Sequence, residues 1–262
     1  MNLEMLISAV DAEPENLIRT MNVNCPAVLV NQCGRVSNDV QKYPYGDVRV
    51  FNSNERGVGK SRNKALYEAM GDIVLFCDED IVYCDGYEKK ILREFEKHPD
   101  ADGIFFNVKV CTERRTYWNS DFARVRIYNS GRDPAYSMAV KRQSVEGAGI
   151  RFSELFGGGA KYSCGEDSLF IRDCLKKKLD LYRTPTVIGE EIPRPSTWFK
   201  GYDEKYFFDR GVLYHFLYGI LAFPMGVRYV LTKRKIMCRE VHWTQALKLI
   251  RKGIREGKTI KR

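Results

Sequence analysis

Three clusters of charged residues have types and spacing suited to chemistry on a phosphorylated substrate. The first is Asp78-Glu79-Asp80, which abruptly ends the apolar run 73–77. Open α/β sheets bind ligands beyond the carboxyl ends of their strands. Carboxylates there suit Mg or Mn, hard cations that take oxygen ligands and bridge phosphates. Taken alone, so short a motif is more often an ordinary acidic loop. The second cluster, Glu55-Arg56-Gly57-Val58-Gly59-Lys60-Ser61-Arg62-Asn63, opens a helix ahead of the acidic strand. A helix N-terminus favours anions, and Arg62 adds a rigid donor fork for a phosphate or a base. In the third, the run Gly157-Gly158-Gly159 leads to Gly165-Glu166-Asp167-Ser168-Leu169-Phe170. Acids in a first helical turn often only complement the helix dipole. In a cleft, one of them is placed to act as a general base.

Two familiar phosphate motifs fail on inspection. Gly59-Lys60-Ser61 resembles the end of a P-loop, but the glycine required five positions earlier is Asn54. The dinucleotide fingerprint G-x-G-x-x-G lacks its third glycine near Arg62-Asn63.

The elements that must position these groups alternate as in a parallel α/β sheet. Residues 3–10, 27–30, 48–51, 73–77 and 103–110 are predicted strands, the fourth a continuous apolar run of the doubly buried type. Helices are predicted over 13–22, with Pro14 in the first turn, over 58–70, with Gly71 as its cap, and near 86–97. Between 112 and 165 the pattern loosens to loops, with a short strand at 136–140. A helix over 167–177 and a strand near 182–188 restore the order. Trp198 and Tyr202, after Pro193 and Pro195, could close as a lid or simply pack.

The chain of 262 residues carries net charge +9, unevenly placed. From Arg228 to Arg262 there are twelve basic and two acidic residues, whereas the first 227 residues hold thirty-one and thirty-two. A near-neutral body argues against a nucleic-acid partner, and the basic tail points to an anionic surface. The apolar stretch 213–231 contains His215, Pro224 and Arg228, which favours a helix in a membrane interface over a span. Over 240–255, Val241, Trp243, Leu247, Ile250 and Ile254 share one face among basic residues. That face suits a membrane surface, or packing on the domain or another subunit. The eight cysteines form no CxxC pair or zinc spacing, and the start of the sequence lacks a basic, then apolar leader. Reduced thiols in the cytoplasm, with peripheral contact at the inner membrane face, are the expectation.

In order and spacing, the three clusters together resemble glycosyltransferase family 2, over about residues 3–198. The family has an opening strand, a helix beginning with an Arg-Asn pair (Arg62-Asn63), an apolar strand ending in D-x-D (Asp78 to Asp80) and a later Glu-Asp pair (Glu166-Asp167). Glu55-Arg56-Gly57 with Gly-Glu-Asp-Ser-Leu-Phe looks most like bacterial members that build capsular or other surface polysaccharides. The resemblance implies an α/β fold of the GT-A class, a Rossmann-like mixed sheet flanked by helices, over 1–200. A basic, amphipathic helical extension would occupy 201–262. It implies inverting transfer of a sugar from a nucleotide diphosphate, UDP above all, to a hydroxyl of a glycan or lipid-linked acceptor. Asp80 and Asp78 would hold Mn or Mg, with Asp78 at the ribose or a metal-bound water. Arg62 would lie near uracil and diphosphate, Asp167 would be the base, and Glu166 would help bind the acceptor. Ala9, Asn31, Gln32 and Glu79 would complete the nucleotide site. Asn31-Gln32 departs from the family's Asp-Asp, though an amide oxygen can still accept the uracil N–H. A sugar-phosphate nucleotidyltransferase would instead carry a glycine-rich turn after the first strand, and Ser8-Ala9-Val10-Asp11-Ala12 has none. A non-catalytic scaffold of the same fold would not need acids at 78, 80 and 167.

Overall fold

A computed structural model describes residues 1–111, 117–193 and 201–261. In chain order the first half comprises β1 (Leu3–Val10), α1 (Pro14–Thr20), β2 (Ala27–Gln32), β3 (Ser37–Tyr43), β4 (Gly46–Ser53), α2 (Val58–Glu68) and β5 (Ile73–Asp78). Then come β6 (Ile81–Tyr83), α3 (Tyr87–Lys97), β7 (Gly103–Lys109), β8 (Ala123–Arg124), β9 (Met138–Lys141), α4 (Arg142–Gly147), α5 (Glu166–Lys176) and β10 (Leu181–Glu191). The chain closes with α6 (Glu204–Tyr218), α7 (Ala222–Met237) and α8 (Trp243–Thr259).

The described strands form one mixed sheet in the order β3-β4-β2-β1-β5-β9-β7-β10-β6, with β8 on β10. β4, β2, β1 and β5 run parallel, and β9 inserts antiparallel between β5 and β7. Side chains alternate across a strand, so β1 and β5 feed two cores. Met5, Ile7, Leu75 and Cys77 join Ile91 and Phe95 of α3 on one side. Leu6, Val74 and Phe76 join Leu66 of α2 and Phe170 of α5 on the other. Burial on both faces is why these strands read as unbroken apolar runs. The registers Ser8↔Asp78 and Ala9↔Asn31 bring the carboxyl ends of β5, β1 and β2 to one edge.

Three features differ from the expectation. β3 is a polar edge strand, exposed over most of its length, so no apolar periodicity announces it. Its hairpin partner β4 begins at Gly46, whose φ of 127° only glycine adopts readily. Helix α2 ends at Glu68 with Ala69 as its cap, not at Gly71. The buried Glu4 carboxylate takes over there, accepting Met70 N at 2.6 Å and Gly71 N at 2.8 Å, and Arg49 pairs with it at 2.7 Å. A side chain at position 71 would meet Glu4 Cβ at 2.7 Å. Glycine is needed for this close approach rather than for the cap.

The third difference concerns the apolar face of α8. Ala246, Ile250, Gly253, Ile254 and Gly257 recur at helical spacing and are buried. Gly211 of α6 sits against the Ile250 carbonyl, and Gly253 against the Phe208 carbonyl, so the two helices cross almost backbone to backbone. Val241, Ile250 and Ile254 share a core with Leu213, Leu217 and Val230, and with Phe156 and Leu169 of the sheet domain. Packing on the protein, rather than a membrane, therefore covers most of that face; Trp243 keeps an exposed edge. No described helix is long and apolar enough to cross a membrane.

Candidate active site

At the carboxyl edge of β1 and β5, helices α2 and α5 deliver the charged groups. Arg62 lies in the second turn of α2, held down by Ser61, whose hydroxyl bonds Ser8 Oγ of β1 at 2.9 Å. The Arg62 side chain is 2% exposed. Its Nη2 donates to Asp78 Oδ1 at 2.8 Å, and its Nη1 to Asp167 Oδ1 at 2.6 Å and Glu166 Oε1 at 3.3 Å. The Phe152 ring lies 5.3 Å from the guanidinium carbon. One buried cation thus gathers three carboxylates, one from the end of β5 and two from the start of α5. Burial alone disfavours the charge on Arg62, but Asp78, Asp167 and Glu166 more than restore it and raise its pKa.

The loops entering α5 make the approach possible. Gly165, at φ 123°, precedes Glu166 and donates its N–H to Glu166 Oε2 at 3.1 Å. A Cβ at Gly157 would come within 2.7 Å of the Glu166 carboxyl carbon, so part of the glycine run leaves room for this side chain. Asp167 is fixed at its second oxygen by Ala135 N, at 3.1 Å. Glu166 is the more buried of the pair. Burial first, then the adjacent Asp167, pushes its pKa up to about 7, with Arg62 opposing. Tyr136 stands near this group, and burial raises its phenol pKa, with Asp78 and Asp167 adding to the shift.

The structure brings Asp78, Glu166 and Asp167 together, with Asp80 two residues beyond Asp78 in the turn from β5 to β6. The other expected residues have the following partners. Arg62 is the buried counter-charge of these acids. Asn31 and Gln32 are 0% and 4% exposed. Asn31 Oδ1 accepts Ala12 N, and its amide donates to Ala12 O and Asn52 Oδ1. Gln32 Oε1 accepts Gly57 N at 2.7 Å, and its amide reaches Ala9 O. Both amides brace the cleft wall. Ala9 is buried, with its carbonyl used by Gln32. Glu79 turns back to accept Val10 N at 2.9 Å. Trp198 lies outside the described residues. Tyr202 packs edge-on against Tyr206.

Sequence reasoning named Arg56 in the second cluster but missed its partner Asp11, with which it pairs at 2.9 and 3.1 Å on the rim of this edge. Asp11 follows β1 directly, a position that could have drawn notice. Its positive φ of 50° is visible only in the fold. The Ala135 amide carried no sequence signal at all.

Among the described residues, no three His, Cys, Asp or Glu side chains group to hold a metal ion. Mg and Mn sites are often built differently, from one or two carboxylates plus substrate phosphates and water. Asp80 and Asp78, an all-oxygen pair at the strand end, fit that donor set.

A mixed sheet flanked by helices, with a carboxylate cluster at its carboxyl edge, is an architecture of the GT-A kind. Residues 30–155 match the family model for glycosyl transferase family 2. The chain is similar to an uncharacterized glycosyltransferase, YwdF, of Bacillus subtilis, 26% identical over 127 residues, which are 44% of this chain and 47% of that protein. An uncharacterized glycosyltransferase of Haemophilus influenzae is 26% identical over 96 residues, 36% of this chain and 33% of the relative. The matches therefore span half or less of these relatives. Among solved structures, S. aureus TarS in complex with UDP-GlcNAc superposes with a TM-score of 0.65 at 14% identity, covering 97% of this chain and 82% of that one. TarS in complex with UDP gives 0.58 at 16% identity, covering 92% and 74%. These likenesses establish the fold.

Proposed function

We propose that this protein moves a sugar, with inversion, from a UDP-sugar to a hydroxyl of a glycan or lipid-linked acceptor in surface polysaccharide synthesis. The observation that carries the reading is the convergence of Asp78, Glu166 and Asp167 on Arg62, beside Asp80. UDP and UDP-GlcNAc bound to TarS, a protein of the same fold, support a UDP-sugar donor. The motifs resembling capsular enzymes support the acceptor class.

Asp167 serves as general base, taking the proton of the acceptor hydroxyl as that oxygen attacks the anomeric carbon from the face opposite the nucleotide. The reacting carbon gains oxocarbenium character, as in glycoside hydrolysis. Arg62 and Ala135 N hold the Asp167 carboxylate at one angle, so little reorganisation is left for the reaction. General-base assistance is worth roughly 10²–10⁴-fold. Glu166, less solvated, orients the acceptor. Asp80 and Asp78 would hold a Mn or Mg ion, which would supply Lewis-acid neutralisation of charge on the leaving diphosphate.

The test is nucleotide release from a panel of nucleotide sugars with Mn, for the wild type, Asp80→Ala and Asp167→Asn. Asp167→Asn is expected to lose transfer by at least 10² while UDP still binds, and Asp80→Ala to lose the metal response. Equal loss of binding and transfer in Asp167→Asn would remove it from the role of base.

A further inference from the structure

With its apolar face buried on α6, α8 cannot insert that face into a membrane. The fold instead exposes a different surface at the turn from α6 to α7. Ile220 is 97% exposed and Leu221 58%, two large aliphatic side chains side by side at a tip, with Phe223 exposed next to them. Along α7, Leu231 continues the exposed apolar set. A solvated tip gains nothing from such residues, and contiguous exposed apolar surface marks an interaction site.

The same place is strongly cationic. Ile220 and Phe223 border a cavity of about 660 Å³ that is also lined by Arg251, Arg255 and Lys258 of α8. These three lie at helical spacing on one stripe, and all are exposed. The Arg251 guanidinium carbon is 5.9 Å from the Phe223 ring centroid. Glu256 is the sole acid of α8, and it turns away to Lys161 and the Tyr162 hydroxyl. Among the described residues no carboxylate pairs with any of the three cations. An apolar tip beside unpaired cations complements a surface with an acyl interior and anionic headgroups.

We propose that the α6–α7 tip and the Arg251/Arg255/Lys258 stripe bind an anionic phospholipid bilayer, Ile220 and Leu221 entering the acyl boundary while the cations meet headgroup phosphates. This contact holds the catalytic domain at a membrane surface. It is independent of the transferase reading, since binding needs no sugar donor.

The full chain is centrifuged with vesicles of phosphatidylcholine alone and of phosphatidylcholine with one third phosphatidylglycerol. Binding is expected only to the anionic vesicles, and is expected to be lost at about 0.5 M salt, where the screening length falls below about 5 Å. The triple variant R251A/R255A/K258A is expected to bind about a hundredfold more weakly, from the contribution of about 1 kcal/mol per cation at an anionic surface. Ile220→Ser with Leu221→Ser should weaken binding at least tenfold, with an unchanged melting temperature because both side chains already face water. Equal binding to neutral vesicles, no binding to either, or full retention by the triple variant would overturn the proposal. So would a dimer in solution that Ile220→Ser dissociates without any vesicle binding, which would make the tip a contact between copies.

Discussion

Replacing Arg62 with methionine keeps much of the side-chain volume and removes the one charge that holds three acids together. Its nitrogens sit 2.6 Å from Asp167, 2.8 Å from Asp78 and 3.3 Å from Glu166. Breaking a buried ion pair from one side costs about 3–5 kcal/mol. Asp78 and Asp167 keep a quarter to a third of their side-chain surface in water, so the lower end, about 3 kcal/mol, applies. For a chain of this size that lowers the melting temperature by about 6 °C, at roughly 2 °C per kcal/mol. The loss also has a pH signature. Without Arg62 the Glu166 pKa, already raised by burial and held back by that guanidinium, rises further above its unfolded value. Stability is then retained at low pH and lost as pH rises through the raised value. The deficit relative to wild type is expected to be largest at pH 8 and to shrink toward pH 5, read by calorimetry across that range. Arg62→Lys, with charge but no fork, should fall between the two. A methionine variant that melts with the wild type at pH 8, or a deficit flat across pH, would refute the idea that Arg62 is the counter-charge organising the site.

Glu166→Gln tests the same cluster from the acid side. The Glu166 pKa is raised from 4.5 to about 7, so its protonated form is the one the fold favours, and that contribution is lost as pH rises from the unfolded value through the folded one. The glutamine variant should gain on the wild type between pH 5 and pH 8, by about 3 kcal/mol at most, visible as converging and then crossing melting curves. Gln32→Ala should cost about 1–3 kcal/mol of stability by stranding the buried Gly57 N–H. A donor-affinity loss with unchanged stability would instead return Gln32 to the nucleotide. Gly253→Ala should destabilise by several kcal/mol or prevent folding, because its methyl group would collide with the Phe208 carbonyl across the α6–α8 crossing. A soluble variant with native melting would show that this crossing is loose.

Much of the sheet and its acids was legible in local pattern. β1, β2, β5, β7 and the helices α2, α3 and α5 carry periodicities that burial imposes, and Asp78, Glu166 and Asp167 stand at the strand and helix ends where ligands bind. β3 escaped because an edge strand facing water needs no apolar alternation. The α8 stripe was legible as amphipathic, but what covers it was not, since an apolar face looks the same whether it meets lipid or protein. The glycines at 211 and 253 decide that question only once their helices cross.

The sequence by itself therefore determined the class of fold, the acids and their order along the chain, because each follows from neighbours a few residues away. Only the tertiary structure decided that Arg62 pairs with Asp78, Glu166 and Asp167, and that Asn31 and Gln32 brace the wall. A polar side chain's role depends on which partners reach it, and here those partners come from as far as 105 residues along the chain.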